Sequence, residues 1–132
     1  MNKLQELMDI MTKLIDEHET LMQISSDKTE VIKTSSMDEL SQLLILESKQ
    51  IKLITALEEI REELVNSYFY EENLHAEDKT IGTLLSDIND LTIQRVLEEK
   101  ASYLMDIMIT LKQTEQLNHA LIEQSKVLSN CH

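Results

Sequence analysis

The chain has 132 residues and a net charge of −13, with one glycine, no proline and no tryptophan. Helix-forming residues dominate, so the composition is typical of an all-α protein and leaves little material for a β-sandwich or barrel. The charge repels nucleic-acid phosphates and anionic lipid head groups, so neither is an expected partner. The length suits one domain, predicted over residues 1–132.

Signals for a membrane or for secretion are weak in this sequence. No apolar run approaches the roughly 20 residues that span a bilayer, and the first residues lack the basic and apolar segments of a signal peptide. The single cysteine, Cys131, cannot form an internal disulfide, which fits a reducing compartment. We therefore expect no membrane span and a cytoplasmic location.

A hydrophobic repeat near 3.5 residues opens the chain and predicts a long helix over residues 2–34. Its members are Leu4, Leu7, Met8, Met11, Leu14, Ile15, Leu21 and Met22. His18 falls on the same stripe. A polar residue there is expected to set the register of a helical interface, and a pH-dependent switch is the alternative.

A second repeat follows a short polar interruption at residues 34–36. Ser36 and Glu39 have the spacing of a capping box, in which a serine and a glutamate three residues later cap the start of a helix. We therefore predict a second helix over residues 37–71. Its apolar stripe consists of Leu40, Leu43, Leu44, Ile51, Ile54, Leu57, Leu64 and Val65.

Two more helices are predicted in the rest of the chain. Residues 71–80 are polar and lack periodicity, so we expect a loop there. A short helix follows over residues 81–88, and Asn89 or Asp90 is placed to cap a long last helix over residues 90–129. Together these elements predict an elongated antiparallel bundle of three long helices plus one short helix, with coiled-coil-like packing.

The sequence offers no complete catalytic or cofactor site. One glycine excludes a glycine-rich phosphate loop, and Cys131 lies next to the last residue, a poor position for an organised nucleophile. Glu72 and His75 form one E-x-x-H motif of the di-iron type, but such sites need a second motif and two further carboxylates. We therefore expect no enzymatic activity, no metal and no cofactor.

The last helix carries more apolar surface than one neighbouring helix would cover. Residues 103–111 place apolar side chains around an arc of roughly 240°, so part of it contacts either two neighbours or another chain. Beyond this arc one interface position changes from leucine to Asn118 and Ser125, so packing is expected to weaken toward the C-terminus. We predict a partner-binding surface over residues 111–128, with Met108 as an adaptable contact. The alternative is a frayed helix end without a function.

The charge pattern agrees with this location. Acidic side chains greatly outnumber basic ones in residues 1–79, whereas the two kinds are equally frequent in residues 100–132. Another chain can therefore approach the C-terminal third without charge repulsion.

Three stretches carry a pattern found in a known family. In residues 14–21 a glutamate precedes a leucine after an apolar pair, and residues 37–61 repeat the family's pattern for the second helix. In residues 117–125 asparagine, leucine and serine recur at the family's spacing. With these spacings, most of the chain resembles the FlgN family of flagellar export chaperones.

The resemblance implies a cytoplasmic helical chaperone that needs no nucleotide and holds hook–filament junction proteins by their terminal segments before export. The family's contact region falls on Leu117, Asn118, Leu121, Ile122 and Ser125. With the surface predicted above, the expected partner-binding residues are Met108, Leu111, Leu117, Asn118, Leu121, Ile122, Ser125 and Leu128. The export apparatus is a further candidate partner. The alternative function is a helical scaffold that self-associates and has no export client.

Overall fold

The computed structural model describes residues 2–72 and 79–130, with side chains through residue 126. The described part of the chain contains four helices and no strand, so the all-α prediction is confirmed. The helices are α1 (Lys3–Thr34), α2 (Met37–Glu71), α3 (Ile81–Asp87) and α4 (Leu91–Asn130). Each begins and ends within one residue of its predicted position.

Specific residues set the ends of α1. Asn2 caps its start, because the Asn2 side-chain oxygen accepts a hydrogen bond from the Gln5 N–H at 2.7 Å. The helix ends where Ser35 adopts a left-handed conformation with φ of 59°. This turn lets the N–H groups of Ser35 and Ser36 bond the carbonyls of Ile32 and Val31, which closes the last turn of α1.

The predicted capping box at Ser36 is wrong in its chemistry, although α2 does begin at Met37. The Ser36 side chain makes no capping hydrogen bond. In a capping box the Glu39 carboxylate would accept a hydrogen bond from the Ser36 N–H. That N–H instead donates to the Val31 carbonyl at 3.4 Å. The Ser36 N–H is used to close the last turn of α1, so it is not available for a capping box at the start of α2.

The starts of α3 and α4 are capped by side chains. Thr80 and Thr83 form a reciprocal capping box at the start of α3. Asp90 caps α4, since its carboxylate accepts from the N–H groups of Thr92 at 2.9 Å and Ile93 at 3.3 Å. The predicted cap of the last helix is therefore confirmed at Asp90.

The three long helices run up, down and up, with α1 in contact with both others. Gln50 of α2 donates to the Glu17 carboxylate of α1 at 2.6 Å, and Lys28 of α1 donates to Glu47 of α2 at the same distance. The residue number increases in α1 while it decreases in α2, so these two helices are antiparallel. Between α1 and α4, Lys100 donates to Thr12 at 2.9 Å and Asn118 to the Ser25 carbonyl at 3.0 Å. From the first pair to the second, the residue number increases in both helices, so α4 runs parallel to α1.

Helices α2 and α4 do not approach each other closely. Among the described residues no Cα atom of α2 lies within 8 Å of one in α4, whereas both helices pack along α1. At one end α3 bridges them: Tyr68 of α2 donates to Asp87 at 2.8 Å, and Gln94 of α4 donates to the Leu85 carbonyl at 2.8 Å. Beyond α3 an uncovered space runs between the two helices, which we call the α2–α4 gap.

Most of the hydrophobic core lies at the end of the bundle that holds α3, which we call the closed end. There the Tyr68 and Phe69 rings meet edge-on, with centroids 6.2 Å apart. The fully buried apolar side chains at this end are Leu7, Met11, Leu14, Val65, Phe69, Leu84 and Leu97. The opposite end, where α1 turns into α2 beside the last turns of α4, is called the open end. The buried polar side chains lie between the two ends.

Candidate partner-binding site

A cluster of polar side chains crosses the bundle before the open end. Lys28 is buried and its ammonium donates to Glu47 of α2 at 2.6 Å and to Glu115 of α4 at 2.7 Å. This lysine is therefore the one described side chain bonded to both flanking helices. The polar cluster consists of Ser25, Lys28, Thr29, Glu47, Glu115 and Asn118.

Asn118 completes the cluster on the α4 side. It is buried, accepts a hydrogen bond from the Thr29 hydroxyl at 2.5 Å and donates to the Ser25 carbonyl at 3.0 Å. The Ser25 hydroxyl also donates to Glu115. Because each bond needs one alignment of the helices, the cluster fixes the register of α4 on α1.

The electrostatics of the cluster favour the charged forms of its members. Burial would raise the pKa of Glu115, but the Lys28 ammonium and the Ser25 hydroxyl hold that pKa below its ordinary value of 4.5. Burial would lower the pKa of Lys28, but its bonds to Glu115 and Glu47 raise that pKa above 10.5.

We expect the Glu115 bonds to make stability depend on pH in the acidic range. A carboxyl whose pKa is lower in the folded state stabilises the protein above the unfolded pKa of 4.5 and loses that effect as the pH falls through the folded pKa. Urea unfolding at pH 7 should show Glu115→Gln to be less stable than the wild type, and the difference should shrink by pH 3. A difference independent of pH would contradict this account.

His18 lies on the interface as the sequence predicted. It is buried, and its Nδ1 donates to the Leu14 carbonyl of the preceding turn at 2.7 Å, because a carbonyl can only accept. This bond satisfies the ring within α1 itself. The arrangement agrees with a polar interface residue, the interpretation favoured by the sequence.

At the open end, beyond the polar cluster, the three long helices form an apolar pocket of about 510 Å³. We call it the open-end pocket. Apolar side chains from α1, from the start of α2 and from α4 surround it. They are Val31, Ile32, Met37, Leu40 and Ile122, with Ser125 and Lys126 at the edge. Met37 is 70 % exposed, so the pocket opens to solvent.

The structure distributes the eight predicted partner-binding residues over several environments. Met108 and Leu117 are about half exposed, and Leu111, Leu121 and Ile122 are partly buried. Ser125 is exposed at the pocket edge, whereas Asn118 is directed into the polar cluster. Leu128 lies outside the described side chains. Ile122 and Ser125 are thus the two that meet in the open-end pocket.

The wide apolar arc of residues 103–111 is only partly covered. Leu104 is buried, and Ile107 and Leu111 are partly buried against the bundle. Met105 and Ile109 remain at least half exposed. Part of the arc is therefore core and part is free surface.

Two features of the site were missed by sequence reasoning. The first is Lys28, which lies seven residues after Leu21 and therefore on the apolar stripe of α1. A charged residue at such a position indicates a buried ion pair. The other is the contribution of α1 and α2 to the pocket. The short polar link between α1 and α2 is bordered by the apolar residues Val31, Ile32 and Met37. Apolar residues on both sides of a turn indicate that another part of the protein packs against it.

The described residues contain no group of three metal-ligating side chains placed to hold an ion. Residues 73–75, which carry most of the E-x-x-H motif, lie outside the described part of the chain. The described helices also include none that is long and apolar enough to cross a membrane.

The described part of the chain defines a class of helical bundles in which three long helices surround an apolar pocket. Comparison with known proteins narrows this class: the family model described as FlgN protein matches residues 1–130. The chain therefore belongs to the FlgN family, as the sequence resemblance indicated. A role as a flagellar export chaperone, with flagellar export substrates as partners, follows in general terms from that membership. No curated protein and no solved structure matches the chain.

Proposed function

We propose that the protein is a cytoplasmic, non-enzymatic chaperone that shields the terminal helical segments of hook–filament junction proteins before secretion. In this proposal the client segment lies along the second half of α4 and inserts apolar side chains into the open-end pocket. The observation that carries the proposal is the pocket itself, in which Ile122 and Ser125 meet the corner between α1 and α2.

The chemistry of the pocket suits an amphipathic helix. Its lining is mainly aliphatic, its edge carries Ser125 and the ammonium of Lys126, and a volume of about 510 Å³ holds several apolar side chains. Helical segments bind such grooves through apolar residues repeated every three or four positions.

The open end also suits a contact that must be released. Few apolar side chains are buried there, and the polar cluster rather than a hydrophobic core holds α4 on α1. A partner that folds as it binds loses part of the interaction energy to its own ordering. Such binding protects the apolar face of the client without making its release slow.

Binding of a purified hook–filament junction protein tests the proposal. Met37→Glu places a carboxylate at the pocket edge and should weaken binding about tenfold or more. Leu91→Glu is the matched control, because Leu91 also begins a helix and is 71 % exposed against 70 % for Met37, but lies at the closed end. Equal loss of affinity in both variants, or no loss in either, would contradict the proposal.

A self-associating scaffold is the second candidate function, and one observation favours it. Leu46, Leu53 and Ile60 are spaced by seven residues along α2 and remain about half exposed. Such a stripe is able to pair with the same stripe of another copy. Sedimentation of the purified protein separates the two functions, since a client chaperone with no such pairing should remain a monomer at micromolar concentration.

A further inference from the structure

The open-end pocket continues the same helix interface that contains the polar cluster. On α2, Leu40 lies seven residues before Glu47, and on α4, Ile122 lies seven residues after Glu115. Residues seven apart share one face of a helix, and at 1.5 Å per residue each step covers about 10 Å along the axis. The faces of α2 and α4 that Lys28 joins are therefore the faces that surround the pocket.

The polar cluster also contains the last described polar contacts between helices before the pocket. Among the described residues, no side chain from residue 37 to 46 or from residue 119 to 126 makes a hydrogen bond to another helix. Of the apolar lining of the pocket, only Ile32 is buried. The short link at residues 35–36 attaches the first turn of α2 to α1, whereas the described polar connection between α2 and α4 at this level runs through Lys28.

Lys28 holds two like charges together. Its ammonium has three N–H groups and donates to Glu47 at 2.6 Å and to Glu115 at 2.7 Å, so both carboxylates contact one buried nitrogen from different helices. Without the cation the two carboxylates would repel each other. Lys28 therefore attracts both walls of the pocket and also cancels a repulsion between them.

Stability alone does not account for a charged group at this position. Replacing a buried ion-pair network by apolar side chains of similar volume is often neutral or stabilising. The closed end of the same bundle is packed in this apolar way, with Phe69 and Leu97 fully buried. What an ion pair adds is a requirement for one geometry, because each bond is made only when donor and acceptor are aligned.

We infer that Lys28 is a positioning residue for client binding, which holds α2 and α4 at the spacing at which the open-end pocket accepts the apolar face of a client helix. Lys28 does not line the pocket itself. The inference rests on the proposed function and deepens it. Without the two ion pairs the walls are aligned for only part of the time, and the apparent affinity falls in proportion to that fraction.

Spin labels on the two walls test the positioning in the free protein. The labelled positions are Glu39→Cys, in the exposed first turn of α2, and Glu123→Cys, on the exposed side of α4, in a Cys131→Ser background. Pulsed electron spin resonance should give one narrow distance, which Lys28→Met lengthens and broadens. Lys33→Met is the matched control, because it removes the same charge but breaks an ion pair within α1, and it should leave the distance unchanged.

Client affinity separates positioning from stability. Lys28→Met should weaken binding of a purified hook–filament junction protein about tenfold, as expected for a pocket aligned about a tenth of the time. Phe69→Ala is expected to lose at least as much stability at the closed end, yet it should bind the client normally. Adding Glu47→Gln and Glu115→Gln to Lys28→Met removes the unpaired charges without restoring the ion pairs, so this triple variant should still bind at least about threefold more weakly than the wild type.

Two results would overturn the inference. The first is a label distance that Lys28→Met leaves as narrow and as short as in the wild type. The second is a client affinity that follows stability alone, so that the triple variant binds like the wild type or folded Phe69→Ala binds as weakly as Lys28→Met. A wild-type protein that binds no junction protein would contradict the proposed function instead, and the label distances would then decide whether Lys28 positions the two walls.

Discussion

Replacing Lys28 by methionine should lower the free energy of unfolding by about 3 kcal/mol. The substitution keeps the length of the side chain but leaves the carboxylates of Glu47 and Glu115 without their shared cation. Breaking a buried ion pair by removing one partner costs about 3–5 kcal/mol. The low end applies here, because the Glu115 side chain remains 39 % exposed and water partly solvates it. Urea unfolding followed by circular dichroism measures the change.

Two further variants show whether the charge is responsible. Lys33→Met is the control: Lys33 pairs with Glu30 at the surface at 3.6 Å, so its loss should cost no more than about 0.5 kcal/mol. Adding Glu47→Gln and Glu115→Gln to Lys28→Met removes the unpaired charges and should restore most of the lost stability. An equal effect of Lys28→Met and Lys33→Met would show that the polar cluster does not hold the helices together.

Truncating Phe69 to alanine should be as damaging or more so, with a loss of about 3–5 kcal/mol. Phe69 is 1 % exposed in the closed-end core and meets Tyr68 edge-on. Its removal takes away apolar contacts and leaves a cavity that the surrounding helices fill only in part. Thermal or urea unfolding of the variant provides the measurement.

The neighbouring residue supplies the control. Tyr70 follows directly on α2 but is 87 % exposed, so Tyr70→Ala should change stability by less than about 0.5 kcal/mol. Where Phe69→Ala stays folded, its affinity for a client should equal that of the wild type, because the open-end pocket is at the other end of the bundle. A large loss of client affinity in folded Phe69→Ala would contradict the separation of core and binding site.

The sequence was sufficient to predict the helices because each carries a long hydrophobic repeat and its breaks are marked by polar residues. The Asp90 cap was also predictable, since the cap depends on local chemistry alone. The Ser36 capping box failed because its N–H is taken by Val31, a competition that a motif does not reveal.

The α2–α4 gap was not predictable in the same way. A hydrophobic stripe shows which face of a helix is covered, but not how far apart two neighbouring helices stand. The partner-binding residues were chosen from α4 alone for the same reason. Val31, Met37 and Leu40 join Ile122 only once the corner between α1 and α2 folds against α4.

Hydrogen–deuterium exchange of the protein, free and bound to a hook–filament junction protein, tests the central claim most directly. The claim is that the closed end stabilises the fold and the open end binds the client. We predict that binding slows exchange in residues 31–40 and 111–126 and leaves residues 58–72 unchanged. Slower exchange confined to residues 58–72 and α3, or no change anywhere in a verified complex, would contradict it.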